Sequence, residues 1–212
     1  VRPGAERVDC EGRAILFATG LWARLPEDLP ERVALAALDV CGAPALVARH
    51  VQPGQRVLVL GAGKSGALVC AAARERLAGR GALVAADRSE SALAALSALG
   101  VCDATLQLDA TDALAALACT QAAGGPFDLV VNCASVAGTE MASILCVRDG
   151  GTVIFFSMAT SFTAAALGAE GVGKDAVLVI GNGYVPGHAD LTLDLLRRHT
   201  ALRAHFEERY AR

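Results

Sequence analysis

One stretch constrains this chain more than any other: residues 56–66, which read R-V-L-V-L-G-A-G-K-S-G. The four consecutive apolar residues 57–60 predict a short strand buried on both faces, as in the interior of a parallel sheet. Gly61, Gly63 and Gly66 follow at G-x-G-x-x-G spacing, and an Ala/Leu-rich helical pattern comes after them. Such glycines allow a tight turn, a close approach of phosphate to the backbone, and packing of the helix on the strand. The stretch therefore predicts an anion site at the start of a helix.

The continuation of the chain selects a dinucleotide as the anion. A second apolar run, 83–86, ends in Asp87, 21 residues after Gly66. An acid at about this distance hydrogen-bonds the adenosine ribose in dinucleotide-binding proteins. The phosphate loop of nucleotide hydrolases is the nearest alternative, because residues 63–65 imitate its last three positions. That loop also needs a glycine five positions before Gly63, where this chain has Leu58.

The predicted cofactor is NAD, because the carboxylate of Asp87 would repel the 2′-phosphate of NADP. Arg88 leaves an alternative open, since it could stack on the adenine or attract a phosphate and permit NADP. Residues that follow the fourth and fifth strands should lie near the nicotinamide half, because ligands bind at the carboxyl ends of parallel strands. The full set of predicted cofactor contacts is Gly61, Gly63, Lys64, Ser65, Gly66, Asp87, Arg88, Asn132, Ala134 and Ser157.

Alternating apolar runs and helical patterns predict an α/β fold with a Rossmann-type, doubly wound parallel sheet. Strands are expected at 57–60, 82–86, 104–107, 127–131, 152–156 and 176–180. Helices are expected at 31–51 with a break at Pro44, 64–77, 89–99, 111–121, 138–147 and 190–209, the last in one or two pieces. Near the start of the chain, 13–17 has the pattern of a strand and 21–23 that of part of another.

Composition narrows the classes of partner. A net charge of −3 provides no basic excess for phosphate-backbone contacts, so we expect no nucleic acid partner. No apolar run approaches the ~18 residues of a membrane span, so we expect no membrane partner. The seven cysteines lack C-x-x-C pairs, which suits thiols in a reducing cytoplasm. Neither they nor the four histidines group at ligand spacing, so no metal site is expected.

Together these features resemble the medium-chain dehydrogenase/reductase superfamily, over nearly the whole chain. Longer segments resemble, within it, the enzymes that deaminate diamino acids in lysine fermentation. They are 38–45 (L-D-V-C-G-A-P-A), 61–66 (G-A-G-K-S-G), 138–145 (G-T-E-M-A-S-I-L), 155–163 (F-F-S-M-A-T-S-F-T), 165–175 (A-A-L-G-A-E-G-V-G-K-D) and 180–184 (I-G-N-G-Y). The resemblance implies NAD-dependent oxidative deamination of a 3,5-diamino acid to a 5-amino-3-oxo acid. It also implies a small amino-acid substrate, release of ammonia, and a homodimer formed through sheet edges.

The resemblance also sets the expected domain organisation. Members of the superfamily carry a β-rich, GroES-like catalytic domain before a proline-bracketed joint, which here is 25–30. We expect 1–24 to be a remnant of that domain, 25–185 the Rossmann domain and 186–212 a C-terminal helical segment. Much of the substrate pocket is then expected outside this chain.

Deamination requires a neutral amine before hydride leaves, and therefore a general base. The candidates for proton transfer or for pairing with substrate charge are Glu140, Glu170 and Lys174, one of only two lysines in the chain. Two alternatives share the same cofactor residues. One is a dehydrogenase or reductase acting on an alcohol or an enoyl thioester. The other is a non-catalytic NAD-sensing module, which would need no companion domain.

Overall fold

The computed structural model describes residues 10–180 and 183–211. Within them, six parallel strands form one sheet in the order β3-β2-β1-β4-β5-β6. The strands are β1 Arg56–Leu60, β2 Ala82–Asp87, β3 Ala104–Gln107, β4 Phe127–Asn132, β5 Val147–Phe155 and β6 Ala176–Ile180. The predicted doubly wound sheet is confirmed. Of the predicted features, part of the N-terminal remnant (1–9) and two positions of the 180–184 segment lie outside the described residues.

The helices cover both faces of the sheet, as apolar strands on both faces require. They are α1 Glu31–Leu38, α2 Gly42–His50, α3 Lys64–Leu77, α4 Glu90–Ala98, α5 Ala113–Ala122, α6 Glu140–Cys146, α7 Phe162–Gly171, α8 His188–Arg198 and α9 Thr200–Tyr210. Helices α1–α4, α8 and α9 share one buried cluster with β1, whereas α5–α7 contribute to the cluster on the other face. Val57 and Val59 enter the first cluster, and Leu58 and Leu60 enter the second.

The order of the strands reverses beside β1. The chain moves from β1 outward through β2 and β3, then crosses back so that β4 pairs with the other edge of β1. In open α/β sheets, ligands bind at the carboxyl ends of the strands beside such a reversal. The glycine turn after β1 lies at this point.

The amino ends of the central strands are held by Asp128. One carboxylate oxygen accepts the backbone N–H of Arg56 at 2.7 Å, and the other accepts Nε of Arg148 at 2.6 Å. The side chain therefore joins the starts of β1, β4 and β5. This fixes the register of the strands that form the cleft at the opposite edge.

The sequence predicts a break in the first helical stretch at Pro44. The structure places the break at 39–41, between α1 and α2. Pro44 lies in the first turn of α2, where its missing N–H leaves no hydrogen bond unmade. Gly42 starts α2, and a Cβ there would overlap the carbonyl oxygen of Gly183. None of the described helices alone is long and apolar enough to span a membrane; α1 and α2 reach such a composition only as a pair, bent by 52°.

Two further expectations are corrected. The predicted strands at 13–17 and 21–23 are not formed: 10–25 contains no strand, and Ile15 and Phe17 are 84% and 73% exposed. A strand needs a neighbour to satisfy its backbone groups, and no described strand pairs with this segment. In addition, α7 is not among the predicted helices. Ser161 caps it by accepting the N–H of Ala164 at 3.2 Å.

Candidate cofactor-binding cleft

The glycine turn is tightly packed below and open above. Gly61 has φ +101°, and a Cβ there would lie 2.9 Å from backbone atoms of Cys133 and Ala134. A Cβ at Gly66 would overlap the carbonyl oxygen of Gly61, whereas one at Gly63 would meet nothing within 4 Å. Gly63 is the N-cap of α3 and supplies no side-chain cap. The first-turn N–H groups of α3 are therefore suited to an anion above the turn.

Asp87 braces this turn from the end of β2. Its Oδ2 accepts the N–H of Ala62 at 2.7 Å, and its Oδ1 accepts the N–H of Ser89 at 2.8 Å. The carboxylate thus ties the glycine turn to the start of α4. Beside it lies a cavity of about 130 Å³, which we call the small cavity. It is lined by Gly61, Ala86, Asp87, Arg88, Leu108, Asp109, Ala110, Thr111, Ala134, Ser135, Val136 and Thr139.

Arg88 and Asp109 face each other across the rim of the small cavity. The Arg88 side chain is 78% exposed, and its Nη1 lies 3.9 Å from Oδ2 of Asp109. Asp109 is fixed by the hydroxyl and the N–H of Thr111, at 2.7 and 2.9 Å. Hydrogen bonds from Thr111, with a smaller contribution from the charge of Arg88, lower the pKa of Asp109. The rim therefore carries two carboxylates, Asp87 and Asp109, and one loosely paired guanidinium.

A second cavity, of about 860 Å³, lies past the carboxyl ends of β4 and β5, and we call it the large cavity. It is lined by Asp39, Val40, Ser65, Cys133, Ser135, Phe156, Ser157, Met158, Ala159, Phe162 and Gly183. Ser135 borders both cavities, and the glycine turn lies between them. The arrangement can hold an extended molecule with two ends and an anionic centre.

Two predicted contact residues use their side chains to shape the cleft wall. Asn132 is fully buried, and its Nδ2 donates to Oγ1 of Thr139 at 2.8 Å and to Oγ of Ser143 at 3.0 Å. Its Oδ1 accepts the N–H of Ala134 at 3.1 Å. Ser157 accepts the N–H of Ala159 at 3.1 Å, inside the wall of the large cavity. Asn132 therefore acts on the cleft through the turn that it organises.

The structure does not bring the three catalytic candidates together. Glu140 is buried at the start of α6, at the carboxyl edge of the sheet, and its Oε1 accepts the N–H of Ser161 at 2.6 Å. Glu170 is exposed in the last turn of α7, which returns to the amino edge. Lys174 follows there, and its Nζ donates to the carbonyl of Val147 at 3.0 Å. Glu170 and Lys174 are thus separated from both cavities by the depth of the sheet.

A charged pair that the sequence analysis missed borders the large cavity. Nζ of Lys64 lies 2.6 Å from Oδ2 of Asp39 and 5.9 Å from the ring centre of Tyr210. Lys64 was predicted as a cofactor contact, and Asp39 was part of a resembling segment but was assigned no role. Burial raises the pKa of the cavity-lining Cys133 to about 12, so its thiol is not a nucleophile at neutral pH. Across the described ranges, no three His, Cys, Asp or Glu side chains group as metal ligands.

Comparison with known proteins gives close relatives by sequence. No family model matches the chain. The chain is 49% identical, over 99% of its length, to the L-erythro-3,5-diaminohexanoate dehydrogenase of Acetoanaerobium sticklandii. It is 45% identical, again over 99% of its length, to the protein of that name from Fusobacterium nucleatum. The chain spans 62% of the length of each relative. The resemblance stated from the sequence is thereby confirmed.

Solved structures support the fold. Mycobacterial Rv1454c complexed with NADPH aligns with a TM-score of 0.64 at 20% identity, covering 87% of this chain and 64% of that one. An Escherichia coli alcohol dehydrogenase (rspB) complexed with NADH aligns with a TM-score of 0.62 at 18% identity, covering 87% and 53%. At these identities the likeness shows the fold alone. It is the Rossmann-like fold of dehydrogenases that use nicotinamide cofactors.

Proposed function

We propose that this chain supplies the NAD-binding part of an L-erythro-3,5-diaminohexanoate dehydrogenase in lysine degradation. The reaction would be oxidative deamination of the 3-amino group, giving 5-amino-3-oxohexanoate. The observation that carries this proposal is 45–49% identity to two proteins of that name over nearly the whole chain. Because the chain spans 62% of their length, the proposal for the chain itself is cofactor binding and one wall of the substrate site.

The residues of the cleft fit NAD. The open space above Gly63 and the uncapped first turn of α3 suit the pyrophosphate. The small cavity beside Asp87 suits the adenosine, and the large cavity past β4 and β5 suits the nicotinamide half. Ser65 and Ser157 line the large cavity, where their hydroxyls can donate to the cofactor. Lys64 lies in the same first turn, with its ammonium paired to Asp39 at 2.6 Å.

We propose NAD rather than NADP. Asp87 and Asp109 place two carboxylates around the small cavity, and a 2′-phosphate there would meet both. Arg88 faces Asp109 at 3.9 Å, so part of its charge is already offset. The two solved relatives hold NADPH and NADH, one each, and the fold alone therefore does not decide between the cofactors.

The chemistry balances with water as the second reactant. The substrate's C–NH3⁺ group, NAD⁺ and H2O give a ketone, NADH, NH4⁺ and H⁺. Bound NAD supplies the hydride acceptor, and the protein supplies orientation and electrostatics. Asp87 holds the glycine turn in shape, and Asn132 holds the turn after β4. Glu140 fixes the start of α7 next to the large cavity, through its hydrogen bond from Ser161.

The placement of the three catalytic candidates changes what is proposed for them. Glu170 and Lys174 lie at the amino edge, and direct proton transfer to a substrate in the large cavity is therefore not proposed for either. Glu140 is buried and already accepts a backbone hydrogen bond. We propose that it positions the cavity wall and does not itself remove a proton.

The decisive experiment is NADH formation from 3,5-diaminohexanoate, compared with simple alcohols and enoyl thioesters, by a full-length protein, because this chain spans 62% of the length of its relatives. Turnover of the diamino acid alone supports the proposal. Preference for an alcohol or thioester would overturn the substrate and favour the second alternative. Calorimetry with NAD on the same full-length protein tests the sensing module, because such a module should bind NAD without turnover of any substrate.

We also propose a homodimer that works in the cytoplasm. β6 is at the edge of the sheet, and Val177 and Ile180 on it are 60% and 41% exposed. An exposed apolar edge strand can pair with another chain. Light scattering that shows a monomer would contradict the dimer.

A further inference from the structure

Asp39 and Lys64 each stand at the helix end that disfavours their charge. Asp39 is the C-cap of α1, where the carbonyl end of the helix repels an anion. Lys64 is the first residue of α3, where the N–H end repels a cation. A sequence that breaks such local rules without a gain in stability does so at functional sites. Both residues adjoin the cleft, so a function for the pair is to be sought there.

The ion pair leaves the carboxylate accessible. The Asp39 side chain is 68% exposed and that of Lys64 is 26% exposed. Within the described part of the chain, the only side chain that donates to the Asp39 carboxylate is Lys64, at Oδ2. Oδ1 is therefore available to a second cation. Lys64 holds the carboxylate in place for it.

The large cavity is otherwise uncharged. Of the described residues that line it, Asp39 alone carries a formal charge, and the others are apolar, hydroxyl, thiol or glycine. A carboxylate at the wall of a neutral cavity selects a cation, because hydrogen bonds to charged groups are the strongest available there. The chemical class that fits is a primary ammonium on a short aliphatic chain, with the phenyl rings of Phe156 and Phe162 nearby.

We propose that Asp39 binds the second ammonium group of the substrate, whose carbon is not oxidised. This rests on the proposed function, whose substrate has two amino groups. The amino group on the carbon that loses hydride must first become neutral, and a carboxylate beside it would favour its protonated form. The amino group that remains in the product keeps its charge throughout. Asp39 therefore suits the 5-ammonium and acts as a specificity-determining residue.

The test compares two substrates and two variants of the full-length protein at saturating NAD. The substrates are 3,5-diaminohexanoate and 3-aminohexanoate, which has the same carbon chain without the second amino group. In Asp39→Asn, we expect KM for the diamino acid to rise about 10-fold to 100-fold, the range for loss of one charge-assisted hydrogen bond. The kcat should change little, and KM for the monoamino acid should stay the same. Asp39→Glu should restore part of the preference.

Glu31→Gln is the matched control, because it removes a carboxylate from the other end of α1, and Glu31 lines neither cavity. It should leave the preference for the diamino acid unchanged. A variant Asp39→Asn that retains the wild-type preference, while the wild type still forms NADH from the diamino acid, would overturn the role of Asp39 alone. Absence of turnover of the diamino acid by the full-length wild type would overturn the proposed function as well.

Discussion

Gly66 and Gly63 differ in the space that an added side chain would find. A Cβ at Gly66 would overlap backbone, which cannot move without opening the turn, whereas one at Gly63 meets open space at an ordinary φ of −80°. We expect Gly66→Ala to lose about 1–3 kcal/mol of stability through overpacking. Gly63→Ala should keep the wild-type melting temperature and lose NAD affinity. Thermal denaturation and calorimetry on both variants check this, and the reverse pattern would contradict it.

Asp87 serves the turn and the proposed ribose contact at once. Asp87→Ala removes the acceptor for the N–H groups of Ala62 and Ser89. We expect NAD affinity to fall about 10-fold or more, because a charged acceptor is lost. NADP affinity should fall less, because the substitution also removes a carboxylate that repels the 2′-phosphate. Glu90→Gln, an exposed carboxylate in the first turn of α4, is the control. Equal affinity for NAD in Asp87→Ala and wild type would remove Asp87 from this role.

Among the elements, α7 shows where sequence reasoning stopped. Its ten residues, F-T-A-A-A-L-G-A-E-G, include two glycines and give little amphipathic contrast. If α7 is not predicted, the direction of the chain from 157 to 175 is undetermined. Glu170 and Lys174 can then be placed at the cleft. With α7, a strand–helix–strand unit must return the chain to the amino edge. The strands, α3 and the N-cap Ser89 could be predicted because each depends on a short, local sequence pattern.

The caps of α4 and α7 offer a test of how firmly these elements are held. Ser89 and Ser161 each accept an N–H of the first turn, at 3.2 Å. Ser161→Ala should lower the free energy of unfolding by about 1 kcal/mol. Ser97→Ala, at an exposed position in the last turn of α4, should be neutral or slightly stabilising. Urea denaturation measures both, and equal effects would mean that the α7 cap contributes nothing.

The molecule as a whole should lose stability in acid. Partial burial opposes ionisation of Asp128, but hydrogen bonds from Arg56 and Arg148 outweigh it and lower its pKa. The same balance lowers the pKa of Asp103 and Glu75. Carboxyls with a depressed folded pKa stabilise above their unfolded pKa of about 4, and this contribution disappears as pH falls through the folded value.

The melting temperature should therefore fall steeply below about pH 4. Asp128→Asn should melt lower at neutral pH and show a shallower acid loss. Asp149→Asn, which removes an exposed carboxylate from the neighbouring strand β5, serves as control. An acid profile of Asp128→Asn parallel to that of wild type would contradict the assignment.

The architecture followed from the alternation of apolar runs and helical patterns, and the glycine turn after β1 followed from one strand–glycine–helix pattern. Asp39 did not follow, because it stands at an unpredicted break between helices and its partner is 25 residues away. The structure of 10–25 could not be predicted either. Its apolar residues indicate a buried segment, but the sequence does not identify the surface that would cover them.

The contact between Gly42 and Gly183 has a practical meaning for redesign. The start of α2 and the loop after β6 touch backbone to backbone, and Gly183 also borders the large cavity. This side of the large cavity is formed by closely packed backbone. A bulkier residue at Gly42 would displace the backbone at Gly183. If the proposed substrate site is correct, a longer amine is better admitted by shortening two other side chains that line the large cavity, Phe156 and Met158.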